Sequence, residues 1–229
     1  MAVSFGQTVK AFGAALVLAG LTGILGWTFA VTWRPAPGDF PIQGVDVTES
    51  NGDIDFPSLK AAGADFAYIR ATYGADGRDA RFADYWHDAY EADVRRGALH
   101  AYSFCRLAAD QANNFITTVP RTSDALPAAV VIDFADDCPD RPVRAVVLSE
   151  IERFLTMVET HTGKPMLIKV SDQVEHQYRL SSAIKRSLWS TRFFFPPDYS
   201  TRPWRMWQAS GIRHVDGVAT PVNWDVVAR

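Results

Sequence analysis

The sequence has little that would support a metal centre or a nucleic-acid interface. Its two cysteines and five histidines are scattered, without the short spacings typical of zinc sites. Lysine and arginine total 23 against 26 acidic residues, so the net charge is −3, and no basic stripe is present. We therefore expect no metal, no cofactor and no nucleic-acid partner. Internal repeats and low-complexity tracts are also absent, which argues against a solenoid.

The N-terminal part carries the one long apolar run. Residues 11–33 are uncharged and lie between Lys10 and Arg34. About 20 apolar residues are enough to cross a bilayer as a helix, so the run predicts a transmembrane anchor. Residues 1–10 would then be cytoplasmic, and the rest of the chain would lie in the periplasm, held to the inner membrane. The alternative is a cleaved signal, because Thr28 and Ala30 have cleavage-like spacing, and the domain would then be secreted.

Beyond the apolar run, residues 34–41 read RPAPGDFP, which predicts a short, stiff linker. Residues 42–229 are long enough for one domain with its own core. In this domain apolar strand-like runs alternate with amphipathic helical stretches, which is typical of a parallel sheet, open or closed into a barrel. In such folds the polar residues at the carboxyl ends of strands are the candidates for chemistry.

Several of these segments together resemble glycoside hydrolase family 25, the lysozymes (muramidases) that cleave peptidoglycan glycan strands. They read GVDVTES, GDIDFPSLKAAGADFAYIRATYG, GALHAYSF, LPAAVVIDFADDCPDRP, TGKPMLI and RMWQAS, followed by VDGVATPVNWDVV near the C-terminus. The resemblance covers almost all of residues 42–229. It implies a distorted (β/α) barrel, here preceded by one transmembrane helix, with a glycan groove at the carboxyl ends of the strands.

Glycoside hydrolysis ordinarily needs two carboxyl groups, one of which donates a proton to the leaving oxygen. The family carries an Asp-x-Glu at the end of the fourth strand, with the glutamate as proposed proton donor. Here the segment is Asp133-Phe134-Ala135. Asp46 and Asp133 are retained as candidate catalytic carboxylates, whereas Ala135 has no proton to donate.

Other positions of the family's groove also differ. The family's last strand usually reads Val-Asp-x-Asn, and the expected aspartate is Asn223 here. Leu99-His100-Ala101 replaces Tyr-His-Phe, and Ile168 takes the place of a frequent tyrosine. A second glutamate is replaced by Tyr73. The resemblance leaves His100, Tyr73, Trp224 and Asp225 as candidate substrate-binding residues, and Trp207 is expected in the core.

Two functions fit these residues. One is a binding or scaffolding domain that recognises peptidoglycan glycan strands with little or no hydrolysis and serves a cell-envelope assembly. The other is a working muramidase that cleaves the N-acetylmuramic acid–N-acetylglucosamine linkage with a substitute acid such as Asp136. We expect Asp136 and its acidic neighbours to form a solvated loop instead.

Two further features bear on the barrel. If its third and fourth strands are adjacent, Cys105 and Cys138 leave neighbouring strand ends at similar heights, which predicts a disulfide; two buried thiols are the alternative. Residues 193–195 are three phenylalanines followed by two prolines. This hydrophobic loop either packs in the core or contacts the membrane or a partner.

Overall fold

The computed structural model describes residues 5–135 and 138–229. The helices are α1 (Phe5–Thr32), α2 (Phe56–Ala61), α3 (Phe82–Glu91), α4 (Ala108–Thr118), α5 (Arg144–Thr162), α6 (Asp172–Tyr178) and α7 (Leu180–Ala183). The strands are β1 (Gln43–Val47), β2 (Phe66–Tyr73), β3 (Gly77–Arg78), β4 (Arg95–Ala101), β5 (Ala129–Ile132), β6 (Leu167–Val170), β7 (Ser187–Thr191), β8 (Met206–Arg213) and β9 (Val222–Val227).

Eight of the strands close into a barrel. The hydrogen-bonded order is β1-β9-β8-β7-β6-β5-β4-β2, and β1 also pairs with β2, so the ring has no free edge. Neighbouring strands run parallel except around β9, which is antiparallel to both β1 and β8. Short β3 pairs with β2 outside the ring. The prediction of a distorted (β/α) barrel is confirmed.

Apolar spacing explains why the helices pack where they do. On α5 the buried residues Val147, Ile151, Phe154, Leu155 and Val158 recur at the three- and four-residue intervals that place side chains on one helix face. The helix ends at Gly163, whose φ of 71° is left-handed, a conformation that glycine adopts without steric cost.

One boundary differs from the sequence-based expectation. The pattern favours a helix over residues 82–95, but α3 ends at Glu91 and β4 already begins at Arg95. Asp93, with a φ of 54°, reverses the chain between them, and aspartate tolerates this left-handed conformation better than most residues. The turn lets β4 begin at Arg95, where the pattern still favours helix.

The predicted linker is part of the packed domain. No helix connects antiparallel β8 and β9, so their outer face must be covered by something else. Trp33 and Phe40 cover it: their rings lie 6.4 and 5.7 Å from that of Trp207. The Gln43 side-chain amide donates to the carbonyls of Pro35 and Phe40. Residues 34–41, predicted as a short, stiff linker, thus pack against the barrel.

Helix α1 joins the barrel through its last turn. The backbone N–H of His214 donates to the carbonyl of Val31 at 2.7 Å, and the Arg213 guanidinium donates to that of Thr32. Both carbonyls belong to the helix end, where no backbone partner is available within the helix. The segment Ala15–Thr32, with a mean hydropathy of 1.8, is otherwise exposed. Length and composition allow this segment to cross a membrane.

We call residues 33–40 the covering segment. Replacing Trp33 tests whether this segment stabilises the barrel. We expect Trp33→Ala to lower the free energy of unfolding by about 2 kcal/mol, roughly half the cost of deleting a fully buried tryptophan, because Trp33 is half-buried. The measurement is denaturant unfolding of the full chain in detergent micelles. Trp27→Ala is the control, since Trp27 is 62% exposed on α1. Equal stability of the two variants would contradict the packing role.

Candidate active site

A polar groove lies at the carboxyl ends of the barrel strands. It has a volume of about 400 Å³, the scale of a small-ligand site. Alternate side chains of the strands line its walls, because every second residue of a strand faces the barrel interior. The lining residues are Asp46, Thr48, Arg70, Leu99, Ala101, Val131, Asp133, Lys169, Ser171, Thr191, Phe193, Gln208 and Asn223.

Asp46 on β1 is held by two partners at the floor of the groove. The ammonium of Lys169 on β6 lies 2.5 Å from its Oδ2, and the Asn223 amide donates to its Oδ1 at 2.9 Å. Gln208 donates in turn to Asn223 at 2.9 Å. The side chains of Asp46 and Lys169 are 8% and 7% exposed, so this is a buried ion pair with both carboxylate oxygens occupied.

Asp133, the second groove carboxylate, is in a different environment. It follows β5, is exposed, and accepts hydrogen bonds from Ser171 Oγ at 2.6 Å and from the Phe134 backbone at 2.8 Å. Ala135, two residues further on, is also exposed. The candidate substitute acid Asp136 lies outside the described residues.

A positive side chain lines the same groove. Arg70 on β2 bonds Asp79 at 2.9 Å and Glu49 at 3.1 Å, and its guanidinium lies 5.1 Å from the centre of the Tyr73 ring. Tyr73, a predicted substrate-binding residue, is 43% exposed and lies beside the groove without lining it. Arg70 is thus fixed at the groove wall by two carboxylates.

Asp225 was predicted to bind substrate, but it lies below the groove floor, where a substrate cannot contact it. It is fully buried and accepts a hydrogen bond from Trp189 Nε1 at 2.9 Å. Burial, and then the negative charge of Asp46, raise the pKa of Asp225 well above its usual range. Burial and the charge of Asp46 therefore favour the protonated form of Asp225, whereas Asp46 is paired with Lys169.

His100 was expected in the groove, and that expectation is wrong. Its neighbour Leu99 faces the barrel interior, so alternation turns His100 outward. There it is fully buried, stacks on Phe154 at 4.8 Å and bonds Thr72 and Gln111. Burial lowers the pKa of His100 to about 4, so the ring is a neutral core group.

Trp224 also faces away from the groove, contrary to the prediction that it binds substrate. It alternates with Asn223, which faces inward, and is fully buried under the covering segment. Its Nε1 donates to Gln43 Oε1 at 2.8 Å, and the Arg213 guanidinium lies 4.5 Å from its ring. Trp207 is a core residue, as expected, with 2% exposure.

The two cysteines are joined. Cys105 and Cys138 form a disulfide with a Cα–Cα distance of 5.7 Å, in the range usual for such bonds. Cys105 follows β4 and Cys138 follows β5, and the two strands are parallel neighbours. The bond therefore ties together two loops at the groove end of the barrel.

Lys169 was missed by sequence reasoning, which assigned the groove position on this strand to Ile168. Ile168 is fully buried against the helices, whereas Lys169 faces inward. The available signal was a single charged residue within the apolar strand Leu167–Val170, because a lysine there needs a buried partner. Arg70 in β2 carried the same signal.

The barrel has a second cavity at its opposite mouth. It measures about 310 Å³ and is lined mainly by apolar residues such as Phe66, Leu167 and Met206. Its described lining contains no carboxylate. Within residues 5–135 and 138–229, no three acidic, histidine or cysteine side chains are grouped to hold a metal ion.

Comparison with known proteins agrees with this geometry. The model of glycosyl hydrolases family 25 matches residues 45–218; the chain belongs to this family. YegX of Escherichia coli O6:H1, described as uncharacterised, is 28% identical over 197 residues, which cover 83% of this chain and 71% of YegX.

Solved structures share the fold. A family 25 glycosyl hydrolase from Bacillus anthracis has a TM-score of 0.75 and 29% identity, covering 82% of this chain and 89% of its own. A bacterial lysozyme from Streptomyces coelicolor has a TM-score of 0.74 and 26% identity, covering 81% and 91%. The barrel with its groove is thus the lysozyme-type fold of the family.

Acidification tests the core role of His100. Between pH 6.5 and about 4 the unfolded chain binds a proton at this residue and the folded chain does not, so stability is full above pH 6.5 and falls as the pH falls. We expect a loss of roughly 3 kcal/mol from this residue by pH 4.

The measurement is denaturant unfolding from pH 7 to 4. His100→Gln should be less stable at pH 7 but lose less stability on acidification, whereas substitution of exposed His87 by glutamine should leave the wild-type slope. An unchanged slope in His100→Gln would show that the histidine is not buried neutral.

Proposed function

We propose that this protein is a membrane-anchored lysozyme-family domain that binds peptidoglycan glycan strands in the periplasm with little or no hydrolysis. The single observation that carries the proposal is the state of the groove carboxylates. Asp46 is closed in an ion pair with Lys169, and Ala135 stands where the family's resemblance implies the proton donor. Family membership and the lysozyme-type fold support a glycan ligand.

The groove retains what glycan binding needs. Thr48, Thr191, Ser171 and Asp133 offer hydroxyl and carboxylate groups along its walls, and sugar hydroxyls pair with such groups. Phe193 adds an aromatic surface at the rim. Binding by these groups requires no proton transfer, so it survives the loss of the acid.

Catalysis, by contrast, is impaired at two points. A missing general acid costs typically about 10²–10⁴-fold in rate. In addition, the ammonium of Lys169 neutralises the carboxylate that would stabilise the positive charge developing on the sugar ring. Hydrolysis through a substitute acid, Asp136, is the competing function.

The N-terminal helix supports anchoring. The exposed apolar segment Ala15–Thr32 is about the length that a bilayer core requires. Residues 31–40 pack on the barrel, so the domain is held directly against the end of the helix. With residues 1–10 in the cytoplasm, an anchor in the inner membrane would hold the groove in the periplasm, where peptidoglycan lies.

Binding and release assays separate the two functions. We expect the full chain in detergent micelles to co-sediment with purified, dye-labelled peptidoglycan without releasing dye. Asp133→Ala should weaken binding by about 10–100-fold, the effect of losing a hydrogen bond to a charged group. Asp140→Ala, exposed outside the groove, is the matched control. Dye release by the wild-type chain would establish the muramidase instead.

Restoring a proton donor at position 135 tests whether its absence explains the proposed lack of hydrolysis. We expect Ala135→Glu combined with Lys169→Met to raise dye release at least about 10²-fold above Ala135→Gln with Lys169→Met, because only the glutamate can donate a proton. Lys169→Met frees Asp46 while keeping similar volume. Background activity in both variants, with glycan binding retained, would mean that the groove has diverged beyond this repair.

A further inference from the structure

Two phenylalanines are exposed at the rim of the groove, in the connection between β7 and β8. We call residues 193–195 the aromatic loop. Phe195 is 67% exposed and Phe193 43%, and Phe193 also lines the groove. Exposed neighbouring aromatic side chains at one spot of a folded domain usually mark a surface that contacts something apolar.

The backbone of the aromatic loop is specialised for this exposure. Phe194 has a φ of 68°, a left-handed conformation that is unusual for a bulky residue. Its N–H donates to the carbonyl of Ala209 at 2.9 Å, and its ring packs 5.2 Å from that of Trp33. Phe194 thus holds the loop to the barrel while its two neighbours remain outside.

The same contact places the loop beside the end of α1. Trp33 directly follows the helix, and Arg213 and His214 at the end of β8 bond the carbonyls of its last turn. Strands β7 and β8 run parallel, and both end at the groove. Helix α1 therefore leaves the barrel at the groove end, next to the aromatic loop.

The surroundings have the composition of a membrane–water interface. Aromatic side chains and arginines concentrate there, because their apolar parts enter the lipid while their polar ends stay hydrated. Trp33 lies at this junction, and the Phe194 ring that contacts it keeps the aromatic loop beside the end of the exposed apolar helix.

We propose that the aromatic loop lies in the interfacial region of the bilayer that holds α1, so that the groove opens at the membrane surface and takes the glycan segment nearest the lipid headgroups. This inference rests on the proposed membrane anchor. The position of the loop beside the end of α1 favours the bilayer over a second copy of the chain as its partner.

Depth-dependent fluorescence quenching tests the loop. Single cysteines replace Phe195, Tyr90 or Leu18 in the full chain, with the Cys105–Cys138 disulfide kept oxidised, and each carries an environment-sensitive NBD label. Tyr90 is 56% exposed on α3, near the barrel end opposite the groove, and is the matched control. The chain is reconstituted in vesicles of phosphatidylcholine and phosphatidylglycerol with a spin-labelled lipid whose nitroxide lies near the headgroups.

We expect the label in Phe195→Cys to be quenched at least about two-fold more than the label in Tyr90→Cys. Equal quenching at the two sites would overturn the proposal. So would a blue-shifted but unquenched label at residue 195, which would indicate burial against a second copy. The Leu18→Cys label reports the anchor separately, in vesicles whose spin-labelled lipid carries its nitroxide deep in the acyl chains. If it is quenched there and the label at residue 195 is not quenched by the headgroup nitroxide, the anchor holds and the loop proposal fails.

Discussion

A side chain on a strand of a closed barrel faces either the interior or the surrounding helices. This direction determines which residues line the groove and which pack in the core between the barrel and its helices. On β1, β6 and β9 the inward positions are Asp46, Lys169 and Asn223, which bond to one another. One residue along, the outward positions carry core side chains such as Ile168 and Trp224. Because the sheet has no free edge, a shift of register in one strand would exchange both sets.

The ion pair at the floor of the groove follows from this arrangement. Lys169 faces a barrel interior that is otherwise lined by Leu99, Tyr68 and Trp189, so its charge needs a partner within reach. Asp46 supplies it from across the barrel. Removing one member of such a pair commonly costs about 3–5 kcal/mol, because the other charge stays buried. Asp46 has thereby become part of the barrel's stability, which constrains its use in chemistry.

The sequence was sufficient to predict the barrel and the position of Asp46 and Asp133 at one end of it. Alternating apolar runs and long helical faces such as that of α5 are local patterns, and family motifs gave their order. The direction of individual side chains was harder to predict. Assigning His100 to the groove required the phase of β4, and a bulge between Arg70 and Thr72 on the neighbouring strand was not visible in the residues.

The covering role of residues 33–40 was likewise hidden. A segment rich in proline and glycine reads as a spacer, because local composition does not reveal what lies beside it in space. Its two aromatic residues, Trp33 and Phe40, pack on the outer face of β8 and β9, which lie more than 160 residues later in the chain. Contacts at such separation follow from the fold as a whole.

The packed junction between α1 and the barrel also determines how far from the end of the helix the groove can reach a ligand. A flexible tether would let the groove sweep through a volume that grows with the tether's length. Here the residues after the helix are fixed to β8 and β9, so the groove cannot move independently of the end of α1. With α1 in a bilayer, as proposed, the domain would find its ligand by two-dimensional diffusion along the membrane and by rotation about the helix axis. Glycan strands deeper in the wall would stay out of its reach, whatever their affinity for the groove.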